Sequence, residues 1–391
     1  MTRALFLAHT AAPSGAEIAL HRLVRAMDKT EVTVVFTETG PMVDKLRADG
    51  IDTVVVDGAF DSRSVTIEGM SVRRMIGGVT GLIRLGWAVG AVVRESDADV
   101  VVAESSKALL MGTIAARRAR VPLVWHSHDR ISREYFGTLF TAVLHVLGWT
   151  ACRGFIANST STLASLPRWR RAAVVAYPGV DGSDRPLGAR PDQSAPADTV
   201  LCLVARLTPW KGHVLFLEAI AAMTTRPAHV FLVGGTFFGE EPYRAELEAM
   251  AAELDLPVTF TGHVDDPRDY MRMSDVLVHC TLTAEPFGQV VVEGMLAGCA
   301  VIASRPGGPA EIVEHGVNGM LVDSGDRAGL TAMLDRVVSD RDLRTRLSAA
   351  APARAAHFDI EESARTVENF LEDVLDSAPR RGTRVSVRHG R

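Results

Sequence analysis

The stretch Val276-Leu-Val-His-Cys280-Thr-Leu-Thr-Ala-Glu285-Pro-Phe-Gly288-Gln-Val-Val-Val-Glu293-Gly294 decides how this sequence folds. It opens with a short apolar run, passes through a polar turn holding Pro286 and Gly288, and resumes as an apolar segment with helical spacing. An unbroken apolar run of this length, bounded by turn residues, predicts a strand over 276–280 buried on both faces. Proline and glycine ahead of the next apolar segment predict a helix over 288–297. Strand, loop and helix in that order form the repeating half of a parallel α/β sheet.

The same unit recurs on either side. Downstream, strands are expected over 300–303 and 319–322, with helices over 310–314, 328–339 and 361–375. Upstream, strands are expected over 199–204, 229–233 and 258–261, with helices over 213–223 and 243–254. Residues 182–198 read GSDRPLGARPDQSAPAD, with no apolar period, and are expected to be a linker. Before them the alternation appears again: strands over 4–8, 31–37, 53–56, 100–103, 123–125 and 154–157, helices over 16–27, 42–49 and 109–118. Two longer apolar stretches, 75–93 and 135–150, are expected as helices packed on a core. The fold class is therefore α/β, with two facing doubly wound Rossmann-like domains of similar size.

Composition agrees. Of 391 residues, 47% are apolar and 23% charged, a globular balance with enough apolar material for two cores. The net charge of -5 argues against a nucleic-acid partner. Cys152, Cys202, Cys280 and Cys299 lie far apart, so neither a disulfide framework nor a zinc site is expected, and a cytoplasmic, reducing setting fits. The opening run MTRALFLAHT reads as a first buried strand rather than a signal peptide, and no stretch is clean enough to span a bilayer.

In doubly wound sheets ligands sit beyond the carboxyl ends of the strands, so the loops there hold the candidate site. A helix start at Phe287, Gly288 and Gln289 offers unpaired amides and a positive dipole end. Glu285 and Glu293 can each accept hydrogen bonds from vicinal hydroxyls, Glu285 from a sugar and Glu293 from a ribose. By spacing alone they read equally as a helix-start carboxylate and a solvated face. Arg206 and Lys211 follow a buried strand in Val204-Ala-Arg206-Leu-Thr-Pro-Trp-Lys211-Gly212 and can meet one diphosphate. Seen alone, they read more readily as two cations on an exposed loop.

Taken together, Arg206…Lys211-Gly212, then Gly262-His263, then Glu285…Glu293, then Pro306-Gly-Gly-Pro-Ala-Glu311, then Asn318-Gly319 resemble glycosyltransferase family 4. That resemblance is specific over 200–325 and looser before. It implies a retaining, metal-independent glycosyltransferase of GT-B architecture, without cofactor, whose donor is a nucleotide-diphosphate sugar, UDP ahead of GDP. It places Glu293 on the ribose, and Glu285 with the amides of Phe287, Gly288 and Gln289 on the donor sugar. Arg206 and Lys211 fall on the diphosphate, and Gly262, His263 and Val264 against the base. It also implies domains over 1–181 and 199–360, a helix over 361–377 crossing back to the first domain, and a basic disordered tail over 378–391. A nucleotide-sugar epimerase and a non-catalytic nucleotide-sugar binding module are the alternatives.

In the first half, Gly15 of Ser14-Gly15-Ala16-Glu17 lets backbone approach a phosphate. The resemblance puts a histidine near the donor sugar, and His128 of Pro122-Leu-Val-Trp125-His126-Ser-His128-Asp129 fits best. His126 is expected to point the opposite way. The His-x-His pair suggests metal binding, but no third ligand follows at a useful spacing, so no metal is expected. Asp129 can orient His128 or touch the acceptor. Asn158-Ser159-Thr160-Ser161 reads as a helix cap. Tyr177-Pro-Gly-Val-Asp181 marks the domain junction. The acceptor, a hydroxyl on a lipid, glycan or small molecule, is expected on the first domain. The arginines between Arg63 and Arg94 are either a patch for an anionic membrane or the charged outer face of a core helix.

Overall fold

The computed structural model describes residues 1–56, 72–180, 198–236 and 240–377. In the first half the elements run β1 (Thr2–Ala8), α1 (Gly15–Ala26), β2 (Thr30–Phe36), α2 (Pro41–Ala48), β3 (Asp52–Val55), α3 (Val72–Glu95) and β4 (Val100–Ala103). They continue with α4 (Ser106–Ala119), β5 (Leu123–Ser127), α5 (Arg133–Ala151), β6 (Gly154–Ala157), α6 (Thr160–Ala164) and β7 (Ala172–Val175). In the second half come β8 (Val200–Val204), α7 (His213–Ala221), β9 (His229–Val233), α8 (Glu241–Glu253), β10 (Val258–Gly262), α9 (Arg268–Met273) and β11 (Val276–His279). The chain ends with α10 (Gln289–Leu296), β12 (Ala300–Arg305), α11 (Pro309–Ile312), β13 (Met320–Asp323), α12 (Arg327–Ser339), α13 (Arg341–Ala355) and α14 (Ile360–Asp376).

The strands form two parallel sheets, one of seven strands ordered β3-β2-β1-β4-β5-β6-β7 and one of six ordered β10-β9-β8-β11-β12-β13. In each sheet the order reverses beside the first strand, between β1 and β4 and between β8 and β11. The loops leaving those strands diverge there and open a crevice. Because each central strand carries helices on both faces, its sequence is a run of buried apolar residues, as in Val100–Ala103 of β4 and Val276, Leu277 and Val278 of β11.

The predicted strands are all present, within a few residues of their expected ends. The short β7 escaped prediction because Ala172–Val175 is only partly buried and follows an arginine-rich turn. The helix α13 was missed because five of its residues are arginine or aspartate and its apolar stripe is thin. The expected linker 182–198, except Asp198, and the tail 378–391 lie outside the described residues.

The last helix does cross back. Ile360, Ala364, Val367, Leu371 and Val374, spaced four and three apart, bury one face of α14 in the core of the first domain, beside α1 and β7. Burial of each such side chain stabilises by up to about 2 kcal/mol. The Glu368 carboxylate also accepts the Lys29 amide at 2.7 Å.

Candidate functional site

The site is built from loops at the carboxyl ends of β1, β4 and β5 on one side and β8 and β11 on the other. At the centre of the second-domain face, Glu285 Oε2 accepts from Lys211 Nζ at 2.7 Å. The His279 Nε2 lies 3.4 Å from the same oxygen, and its Nδ1 lies 3.2 Å from the Ser304 hydroxyl. Burial pushes the Glu285 carboxyl up, and the ammonium and imidazole outweigh it, so its pKa falls to about 2. Lys211 is also stacked 4.0 Å from the Trp210 ring centroid. Two residues expected on different parts of the donor thus meet in one ion pair. His279 was missed in the sequence, though a polar residue closing an apolar strand was a usable signal.

Beyond Glu285 the chain turns through Gly288, whose φ of 96° is left-handed, and enters α10. The amides of Phe287, Gly288 and Gln289 make no hydrogen bond among the described residues. The Phe287 ring is buried and packs on Tyr177 and Phe358, which fixes that backbone. Arg206 reaches Glu240, with Nε 3.6 Å from Oε2. Gly262, His263 and Val264 form the loop leaving β10, with the His263 backbone against Gly235.

Across the crevice, Gly15 begins α1, and its carbonyl accepts from Gln289 Nε2 at 2.9 Å. Two turns further along α1, Arg22 donates to Glu293 Oε1 at 3.0 Å and lies 3.5 Å from Gln289 Oε1. Glu293 is therefore not a solvated face; it ties the two domains. No local pattern marks Arg22, which sits among ordinary helix positions.

His128 corrects two expectations. It does not point away from His126: residues two apart on a strand share a face, and both rings turn to Glu104. Glu104 Oε2 lies 2.8 Å from His128 Nε2, and Oε1 lies 3.2 Å from His126 Nδ1. Nor is a third ligand missing. Among the described residues Glu104, His126 and His128 form one set whose donor atoms all lie within 4.8 Å of one another. Spacing along the chain hid Glu104, because it comes from the neighbouring strand end. Burial favours neutral Glu104, but the two imidazoles hold it at about 2. Burial likewise disfavours protonated His128, and Glu104 overrides it and raises the pKa; His126, with burial dominant, is lowered. Burial also raises the carboxyls of Glu17 and Asp129 in the same crevice.

Glu104→Gln should therefore lower the His128 pKa, since burial is then opposed only by the charges of Asp129 and Glu17, as read by ring-proton NMR titration. In the native protein the raised His128 contributes stability that is complete below the unfolded histidine pKa and lost as pH rises through the folded one. That alkaline loss should shrink in Glu104→Gln. An unshifted titration would remove Glu104 as the group holding the proton on His128.

Elsewhere the interface is latched by Glu311, whose carboxylate accepts the amides of Thr160 and Ser161 at 2.8 and 2.7 Å and the Tyr177 hydroxyl at 3.0 Å. Ser159 caps α6 as expected, accepting from the Thr162 amide, and donates to the Pro286 carbonyl at 2.6 Å. Of the arginines between Arg63 and Arg94, Arg63 lies outside the described residues, and the side chains of Arg73 and Arg74 are likewise not described. Leu82, Leu85, Val89 and Val93 turn α3 into the core, and its outer face carries Arg84 and Arg94 together with the exposed Ile83 and Trp87.

The model of the glycosyl transferases group 1 matches residues 189–354, and that of Glycosyltransferase Family 4 matches residues 13–183. The lipopolysaccharide core biosynthesis glycosyltransferase LpsD of Rhizobium meliloti is 29% identical over 277 residues, 68% of this chain and 72% of its own length. Its namesake LpsE from the same organism is 34% identical over 156 residues, so the chain spans 44% of that relative, and 39% of this chain is covered. Among solved structures, HepE of Anabaena in complex with UDP and glucose superposes with a TM-score of 0.79 at 28% identity, covering 95% of this chain and all of that one.

Proposed function

The chain belongs to the group 1 and Family 4 glycosyltransferases, and from that membership we propose that it moves a sugar from a nucleotide-diphosphate donor to an acceptor hydroxyl with retention at the anomeric carbon. The carrying observation is the convergence of Lys211, Glu285 and the unpaired amides of Phe287, Gly288 and Gln289 in one crevice facing His128. UDP is favoured as the nucleotide because HepE is solved with UDP and glucose. The relatives give no support to an epimerase or a non-catalytic module.

In the proposed front-face reaction the bond from the anomeric carbon to the diphosphate oxygen breaks. The acceptor oxygen bonds to the same face of that carbon. The acceptor proton passes to the departing phosphate oxygen, so no carboxylate nucleophile is needed. Arg206, Lys211 and the start of α10 stabilise the charge gathering on the diphosphate. That cationic set makes a metal ion unnecessary in this reading, and chelator should leave the rate unchanged. Glu285, held ionised, positions the sugar and the Lys211 ammonium. Glu293 would take the ribose hydroxyls while sharing Arg22. A cytoplasmic setting agrees with four buried cysteine thiols.

A thermal-shift screen of UDP, GDP and dTDP sugars tests the donor. The cognate donor at about a hundred times its Kd should stabilise by roughly 2.7 kcal/mol. A UDP-sugar should give the largest shift and then hydrolyse slowly without acceptor. No shift with any nucleotide sugar would defeat the reading, and a product of inverted configuration would defeat retention alone.

A further inference from the structure

The helix α5 is apolar almost all round, yet it is not buried all round. It breaks at Gly137, whose φ of 72° and ψ of 164° are not helical. From Thr138 to Thr150 its exposed positions carry no charge, and the large ones are Leu139 at 75% exposure, Val143, Val146 at 64% and Trp149. These fall at i, i+4, i+7 and i+10 and line one stripe. Trp169, 66% exposed and stacked 6.2 Å from Trp149, extends the patch onto the loop before β7. A patch of this kind on a soluble surface marks a contact.

Charge selects the occupant. Between residues 130 and 171 there are six arginines and one acid, Glu134, in a chain whose net charge is -5. Arg168, Arg170 and Arg171 ring the tryptophan end; Arg170 lies 4.9 Å from the Trp169 ring and Arg171 donates to the Trp149 carbonyl at 3.0 Å. Arg130 and Arg133 stand at the other end, so a second copy of this face would meet arginine with arginine. Tryptophan and arginine around an apolar stripe suit the head-group layer of an anionic bilayer. No described helix is long and apolar enough to cross a membrane, so the helix would lie on it. The start of α5 follows directly on the loop bearing His128 and Asp129, so the stripe leads away from the mouth of the crevice.

We propose that the outer face of α5, with Trp169 and the arginines beside it, rests on an anionic membrane and that the acceptor is a lipid presenting its hydroxyl-bearing head group from that surface. The lipid acceptor rests on the glycosyl-transfer reading; the docking surface does not. The full chain is sedimented with vesicles of phosphatidylcholine alone or mixed with phosphatidylglycerol, without donor. The native chain should pellet with the mixed vesicles. Leu139→Glu/Val146→Glu, and separately Arg168→Ala/Arg170→Ala, should each weaken that partition about tenfold or more, with donor hydrolysis in solution unchanged. Absence of native pelleting, equal pelleting of both variants, or a dimer in light scattering that the glutamate variant splits would overturn the surface. Failed pelleting with donor turnover intact would sink the surface alone. Pelleting with no turnover of any nucleotide sugar would sink the transfer reading and its lipid acceptor.

Discussion

Lys211→Ala should lower kcat/KM for donor turnover about a thousandfold. The ammonium is the cation nearest Glu285, at 2.7 Å, and in the proposed reaction it meets the departing diphosphate. Its removal also costs stability. Glu285 is largely buried and held at about 2, so its contribution is present above the unfolded carboxyl pKa and lost as pH falls through the folded value. Without Lys211 the carboxylate keeps only His279 and its pKa must climb. Breaking a buried pair from one side costs about 3 kcal/mol. The double variant Lys211→Ala/Glu285→Gln separates the two effects: stability should return, because no buried charge is left alone, and activity should not. Recovery of activity in the double variant, or near-native turnover in Lys211→Ala, would remove Lys211 from the mechanism.

Gly212→Ala should be among the costliest small substitutions, at about 4 kcal/mol. Gly212 has a φ of 80°, and an added Cβ would stand 2.0 Å from the Cys280 carbonyl oxygen. The backbone has no room to give, because the Leu282 amide donates to the Trp210 carbonyl at 2.8 Å and ties the two loops together. Relief of the clash must move Lys211 off Glu285, so activity falls with stability. Gly298→Ala supplies the comparison: its φ is 84°, but nothing lies within 4 Å of the added Cβ. It should cost only the left-handed strain, about 1 kcal/mol. Melting temperatures check both, and equal losses would mean that the φ, not the carbonyl contact, governs Gly212.

Much of the second domain's candidate site is legible in the sequence. Arg206, Lys211, Glu285 and the start of α10 all follow buried strands, and the parallel sheet delivers such loops to one edge. What the stretch 276–294 could not reveal was partnership. Spacing cannot say that Lys211 and Glu285 close on each other 74 residues apart, or that His279 joins them.

The sequence by itself determined the alternation of strands and helices, the two parallel sheets and the identity of the loops at their carboxyl ends. It could do so because hydrophobic period and turn residues act over a few positions and report which faces must be apolar. Only the tertiary structure decided which groups meet. Glu104 falls between His126 and His128 because β4 and β5 are neighbours in the sheet, and Arg22 reaches Glu293 across 271 residues because the domains face each other. The same holds for α5. Its apolar period was read as a helix packed on a core, since periodicity shows where apolar residues gather and not what covers them. In the fold, Leu144 and Gly148 go inward, while Leu139, Val143, Val146 and Trp149 are left outside.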